Sequence, residues 1–343
     1  MLDPAPSSLS DLLSPAWLSG ALDDLGEGEE VVAASVTGTS KTLASKIRFQ
    51  VEVTGPGGAR TTRRYCVKGQ FDDAESRIVN LDVEARCYRD LLPGLGARTP
   101  RAYYTGIEGE TGRSVIIMDD LRSCGATFLD SQSSYSVERT AAALGQLALL
   151  HARTWGEERL KPLDWLRPGT PHVWDVIPTE VLQASIDDGR SEGLPAPLRD
   201  AARVKQAMQI VMAPQRVCVV HGDPHSLNIY LDADGQPGLL DWQLAHIGHW
   251  ATDVGYHIAS VLDIGARREH EESLLRGYLQ ELAALGVEPP PWDEAWGEYC
   301  SHIVYGYCLW SIAKVTPRVD IVEHIPRLGT ALADHDTFAR LGL

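Results

Sequence analysis

Basic charge is scarce in this chain of 343 residues: 31 lysines and arginines stand against 47 aspartates and glutamates, a formal net charge of −16. A nucleic-acid surface wants a basic footprint, so the balance argues against that partner class. An acidic surface serves solubility and would tolerate a cationic substrate. Six cysteines are present, none in a C-x-x-C pair and none at a Cys/His spacing that suits zinc. They read as reduced, mostly buried thiols of a cytoplasmic protein. No uncharged apolar run reaches the ~20 residues of a membrane span. The nearest, Ile303 to Ala313, fits a buried helix instead. The N-terminus, Met-Leu-Asp-Pro-Ala-Pro, lacks both the basic and the apolar part of a secretion signal. Internal repeats and low-complexity tails are missing as well, and cytoplasmic localisation is the expectation. With 44% hydrophobic and 23% charged residues, the composition is that of a globular protein long enough for two lobes.

What is present is concentrated near the middle. His221-Gly-Asp-Pro-His-Ser-Leu-Asn228 is followed by Leu239-Leu-Asp-Trp-Gln243. Ile229-Tyr-Leu231 reads as a short strand, Asp232 to Gly238 as a dense turn, and Leu239-Leu240 as the antiparallel return. Such a hairpin places Asn228 and Asp241 near each other at its open end, with Asp223 on the loop just before. Oxygen ligands gathered in this way suit Mg²⁺, which takes few protein ligands and shares the rest with phosphates. Asp-x-x-x-x-Asn followed by a second Asp is the spacing of a phosphoryl-transfer catalytic loop. His-Gly-Asp alone is a common turn, and Asp241 alone could cap a strand. It is their arrival in register across one hairpin that carries the signal.

Upstream, Ser14 to Gly26 reads as a short amphipathic helix with a Ser cap and Pro in its first turn. Glu30 to Thr37 is a predicted strand, and Lys46-Ile-Arg-Phe-Gln-Val-Glu-Val53 alternates as a half-buried one. Arg60 to Lys68 returns after the turn Thr54-Gly-Pro-Gly-Gly58. Asp73 to Leu92 reads as a helix that sets Glu84 beside its buried stripe. A strand lysine followed by a helix glutamate is the ion pair that orients nucleotide phosphates in kinases, which singles out Lys68 and Glu84. Ser114 to Leu121 is an apolar strand that stops at two acids, and Tyr135 to Trp155 a long helix. Further helical patterns cover residues 172–189, 197–213, 267–285 and 293–315.

With these residues the chain resembles the aminoglycoside phosphotransferase and choline-kinase-like superfamily, whose motif reads H-G-D-x-H-x-x-N. Within it, Asp241-Trp-Gln243, Gly248 and Thr252-Asp-Val-Gly-Tyr256 are nearest to the bacterial ecdysteroid-kinase-like branch. The resemblance implies an α+β, protein-kinase-like fold. Its N-lobe (residues 1–118) would hold a small antiparallel sheet and a helix, and a mainly helical C-lobe (residues 119–343) the catalytic hairpin. It implies ATP or GTP and Mg²⁺ as cofactors, with Asp223 accepting the proton of an acceptor hydroxyl and Asn228 and Asp241 holding the metal. Lys68, oriented by Glu84, would hold the non-transferred phosphates, and main-chain groups of Asp119 and Leu121 the adenine. His221 is expected to brace the loop, Asp253 to pin it, and His225 to stand either behind the base or on the acceptor side.

Departures from the pattern narrow the substrate. In place of G-x-G-x-x-G the first hairpin carries Val36-Thr-Gly-Thr-Ser-Lys-Thr42, leaving Gly38 for close approach to phosphate, with Thr39 beside it. Asp-Trp-Gln replaces Asp-Phe-Gly and no Ala-Pro-Glu follows, which disfavours protein substrates. The expected acceptor is therefore a hydroxylated small molecule, an antibiotic, a steroid-like or another alcohol. Candidate walls for it are His225, Trp174, Asp175, Tyr299, His302 and Trp310. Two further readings share the fold: a nucleotide-binding or ligand-sensing module without turnover, and a hydroxyacyl-thioester kinase. Intact Lys68, Asp223, Asn228 and Asp241 weigh against the first of these.

Overall fold

The alternation from Lys46 to Val53 becomes a strand with Ile47, Phe49, Val51 and Val53 buried and the residues between them turned away. This computed structural model describes residues 4–41, 44–71, 81–109, 112–133, 135–169, 176–213, 215 and 217–343. They form two compact units, Met1–Thr127 with Asp232–Gly235, and Phe128–Leu231 with Gln236–Leu343.

In the first unit the strands β1 (Glu30–Lys41), β2 (Ser45–Thr54), β3 (Arg60–Gly69), β4 (Ala102–Ile107) and β5 (Ser114–Asp119) make one sheet. Its order is β1-β2-β3-β5-β4, every pairing antiparallel. One face packs Phe49, Tyr65, Val67, Val115 and Ile117 against Leu12, Leu18 and Leu22 of an N-terminal helical segment. Burying a side chain such as Phe49 is worth about 1.5–3 kcal/mol. The expected helix from Ser14 stops earlier than its pattern, at Ala21. Asp24 leaves it to accept the Tyr65 hydroxyl at 2.9 Å, and Arg63 donates to the Asp24 carbonyl. Strand β1 runs past Thr37 to Lys41, with register shifts between Val31 and Ala33 and between Val36 and Gly38. Most of the first half of the helix expected over 73–92 lies outside the described residues. What is described is α-helical from Leu81 to Arg86, then widens to a π turn over Cys87–Leu91 before Pro93.

The second unit is mainly helical. Its principal helices are α1 (Val137–Arg153), α2 (Thr179–Ile186), α3 (Ala201–Val211), α4 (Trp250–Val261), α5 (Ile264–Ala284), α6 (Trp292–Ile312) and α7 (Arg318–Asp334). Side-chain caps start several of them: Ser136 accepts from Arg139 N, and Asp200 from Ala202 N and Arg203 N. All twelve residues of α4 are buried, so it is the axle of this unit. Among the described residues no helix is long and apolar enough to cross a membrane. Four three-residue strands lie among the helices. β6 (Cys218–Val220) pairs with β9 (His246–Gly248), and β7 (Ile229–Leu231) with β8 (Pro237–Leu239).

Candidate active site

The hairpin forms in the expected register. Ile229 lies opposite Leu239 and Leu231 opposite Pro237, and the Leu240 N–H donates to the Asn228 carbonyl at 2.9 Å. Asn228 and Asp241 thus leave the ladder at the same end. Asp241 then turns the chain through a left-handed backbone, φ 64° and ψ 74°. Only one other non-glycine among the described residues, Asp336, has positive φ. That conformation costs an L-residue roughly 1–2 kcal/mol and persists where both flanks are fixed. Here the ladder fixes one flank and the fully buried Trp242, packed on the His221 ring at 4.6 Å, the other.

Asp253, on α4 and fully buried, anchors the preceding loop. Its carboxylate accepts the His221 N–H at 2.7 Å and the Gly222 N–H at 2.9 Å, and faces His151 Nε2 at 3.1 Å. Burial works against its charge, but the hydrogen bond and charge of His151, with His221 and the Gly222 amide, hold the carboxyl below the usual range. His221 links the two halves of the motif: Nε2 donates to the Leu240 carbonyl at 2.8 Å, and Nδ1 accepts the Asp223 N–H at 3.2 Å. Burial pushes its pKa down, so the ring is neutral and braces the loop. Gly222 sits at φ +80°, and a Cβ there would come 2.3 Å from the Leu244 carbonyl oxygen. The Tyr305 hydroxyl donates to the Gly222 carbonyl at 2.9 Å, and His257 Nδ1 to that of Pro224 at 2.7 Å.

The Asp223 carboxylate is held from both sides. Oδ1 accepts the Tyr256 hydroxyl at 3.0 Å, while Oδ2 accepts Asn228 Nδ2 at 2.9 Å and lies 3.3 Å from His225 Nε2. His225 Nδ1 accepts the Leu227 N–H, so Nε2 carries the proton that faces Asp223. Because Asn228 Nδ2 bonds both the carboxylate and the carbonyl of Asp223, its Oδ1 is the atom left to face a cation. Asn228 and Asp241 offer only oxygen, the donor type of a hard cation. Among the described residues no three His, Cys, Asp or Glu side chains gather as a metal cage. An open two-residue site of this kind fits Mg²⁺ that shares its remaining positions with phosphate and water.

Within the first unit Lys68 Nζ and Glu84 Oε2 are 2.6 Å apart, both nearly inaccessible to solvent. Gly38 and Thr39 lie on β1, opposite Arg48 and Ile47. Asp119 ends β5; its amide donates to the Arg101 carbonyl, and its carboxylate takes the Tyr103 hydroxyl at 2.7 Å. The Leu121 carbonyl accepts from Cys124 and Ala126.

The four described candidates for acceptor walls, His225, Tyr299, His302 and Trp310, are all buried. His225 and Trp310 meet edge to face at 5.1 Å beside Asp223, and Trp310 stacks on His324 at 3.9 Å. Tyr299 donates to Glu271 at 2.9 Å, and His302 stacks on His249 while its Nδ1 bonds the Glu298 carbonyl. Trp174 and Asp175 lie outside the described residues. Sequence reasoning passed over Tyr256 as a partner of Asp223. Its place three residues after Asp253, one helical turn along α4, was the available signal.

Comparison with known proteins bears on the fold and the family. A profile of the phosphotransferase enzyme family matches residues 71–294. A search of curated proteins returned no match. Among solved structures, the GDP complex of an aminoglycoside 2′-phosphotransferase is 12% identical, with a TM-score of 0.51, over 93% of this chain and 97% of that one. A choline/ethanolamine kinase family protein of Mesorhizobium loti is 15% identical, with a TM-score of 0.50, over 97% and 98%. A spectinomycin phosphotransferase bound to ADP and spectinomycin is 12% identical, with a TM-score of 0.50, over 97% and 100%. These likenesses carry the protein-kinase-like fold, and the profile spans most of the chain, so the protein belongs to the phosphotransferase enzyme family and is, in class, a small-molecule kinase.

Proposed function

We propose that the chain transfers the terminal phosphoryl group of ATP or GTP to a hydroxyl of a small, bulky alcohol, as the ecdysteroid-kinase-like likeness of its motif suggests. The observation that carries this reading is the doubly held Asp223 carboxylate beside Asn228, with Asp241 at the same hairpin end. Phosphoryl transfer needs positioning and charge neutralisation more than covalent chemistry. Asp223 orients the acceptor hydroxyl and takes its proton late in the transfer; Tyr256 and Asn228 keep the carboxylate aimed. Asn228 and Asp241 would hold Mg²⁺, which when bound neutralises phosphate oxygens. Lys68, steadied by Glu84, holds the phosphates that stay behind.

Nucleotide consumption with Mg²⁺ is the test, measured against aminoglycosides, macrolides, sterols, amino alcohols and hydroxyacyl thioesters. Turnover that depends on a sterol-like or macrolide alcohol is the expected result. Turnover only on multiply charged aminoglycosides would reject the acceptor assignment, and nucleotide binding with no turnover on any alcohol would favour a sensing module.

A further inference from the structure

The face of the first unit's sheet that points away from its core carries a row of cations. Ile47, Phe49, Val51 and Val53 of β2 are at most 6% exposed and face the core, so Lys46 and Arg48 face the other way. The register sets Lys46 opposite Lys68, and Arg48 opposite Cys66, its neighbour two places back on β3. On the other side Lys46 lies opposite Ser40, and Arg48 opposite Gly38. Lys46, Arg48 and Lys68 therefore share one face over two adjacent strands. Burial, and after it the Asp120 carboxylate, raise the pKa of the Cys66 thiol between them to about 11, while Lys46, Arg48 and Lys68 all pull it down. The three cations thus act on one point.

Arg48 is also placed. A Cβ built on Gly38 would lie 2.3 Å from Arg48 Nη2 and 3.0 Å from Cζ, so the guanidinium rests over the Gly38 backbone. Glycine inside a strand weakens it, and it is retained where another group must approach closely. The register shift between Val36 and Gly38 falls at the same place. Gly38 is thus a platform for Arg48. In a glycine-rich loop, successive backbone N–H groups curl around the phosphates; the sequence Val36-Thr-Gly-Thr-Ser40 has one glycine and stays a strand.

Building on the kinase reading, we infer that Arg48, seated on Gly38 and flanked by Lys46, binds the nucleotide's polyphosphate in place of a glycine-rich loop. A guanidinium offers paired N–H donors to phosphate oxygens, and Lys46 adds a point charge on the Lys68 side. In a chain of net charge −16, this row supplies the local positive field that a polyanion needs.

Calorimetric titration of the full chain with ATP, ADP and adenosine tests the inference, with Mg²⁺ present. Arg48→Gln should raise the Kd for ATP and ADP by about tenfold or more, the worth of a charge-assisted hydrogen bond, and leave that for adenosine within about twofold. Gly38→Val, which displaces the guanidinium, should give the same phosphate-selective loss, and Arg48→Lys should recover part of it. Equal affinities for ATP in Arg48→Gln and the parent would overturn the inference and leave the kinase reading standing. An equal loss for ATP and adenosine would also overturn it, since that marks a damaged sheet. A parent chain that binds no nucleotide would take down both.

Discussion

Gly222, Asp253 and Tyr256 decide how rigidly Asp223 is presented. Gly222→Ala would force a Cβ onto the Leu244 carbonyl at a backbone angle that L-residues avoid. We expect turnover to fall by about a hundredfold and stability by about 1–3 kcal/mol, read by steady-state kinetics and chemical denaturation. Tyr256→Phe removes a single hydrogen bond to Asp223 Oδ1. It should lower kcat about tenfold and leave the KM for nucleotide unchanged, at about 1 kcal/mol of stability. A variant with parental kcat would show that Asn228 and His225 suffice to aim the carboxylate. At this scale the sequence was informative where spacing dictates geometry. Asp223, Asn228 and Asp241 were legible because a hairpin has one register, and His221 and Asp253 because they flank it. The bond from Tyr305 to the Gly222 carbonyl was beyond the reach of spacing, because it joins residues 83 positions apart.

Helices α4 and α6 are held close by glycine at their crossing. A Cβ on Gly306 would lie 2.3 Å from the Tyr256 ring, and one on Gly255 would lie 3.2 Å from Ile303. Gly306→Ala should therefore act through Tyr256, lowering kcat together with stability by about 1–3 kcal/mol. An unchanged melting temperature and kcat would show that the ring has room to shift. Element types followed from pattern: β2 alternates strictly and α1 has an apolar stripe with a Ser cap. Boundaries followed less well. Tertiary bonds from Arg63 and Tyr65 draw Asp24 out of the first helix, and the widened turn at Cys87–Leu91 has no local signature beyond Pro93. The π turn follows the helical segment that carries Glu84, a place where such turns often accompany function.

Over the whole molecule, buried imidazoles set the response to acid. Burial lowers the pKa of His257 to about 4 and of His302 and His324 to about 3, the last two helped by the neighbouring His249 and His225. An unfolded histidine titrates near 6.5, so between that pH and the folded values the unfolded chain binds more protons. Stability must then fall as pH falls below 6.5, by roughly 1.4 kcal/mol per pH unit for each such ring. Asp253 and Glu271 have folded pKa values held below their ordinary ones and add to the loss further down. A melting temperature that drops steadily from pH 7 to pH 5 is the expected outcome, and a flat profile would mean that these rings protonate in place. Net charge told nothing of this, because it depends on which histidines fold inward.

The central claim is that Asp223 acts on the acceptor while Asp241 acts on the nucleotide. Comparing Asp223→Ala and Asp241→Ala in one assay pair, phosphoryl transfer and nucleotide affinity, tests it most directly. Asp223→Ala should lose about 10²–10⁴ in turnover, the range of a general base, with ATP affinity unchanged. Asp241→Ala should weaken Mg²⁺-dependent ATP binding itself. Near-parental turnover in Asp223→Ala, or Mg²⁺-dependent ATP binding unaltered in Asp241→Ala, would contradict the account.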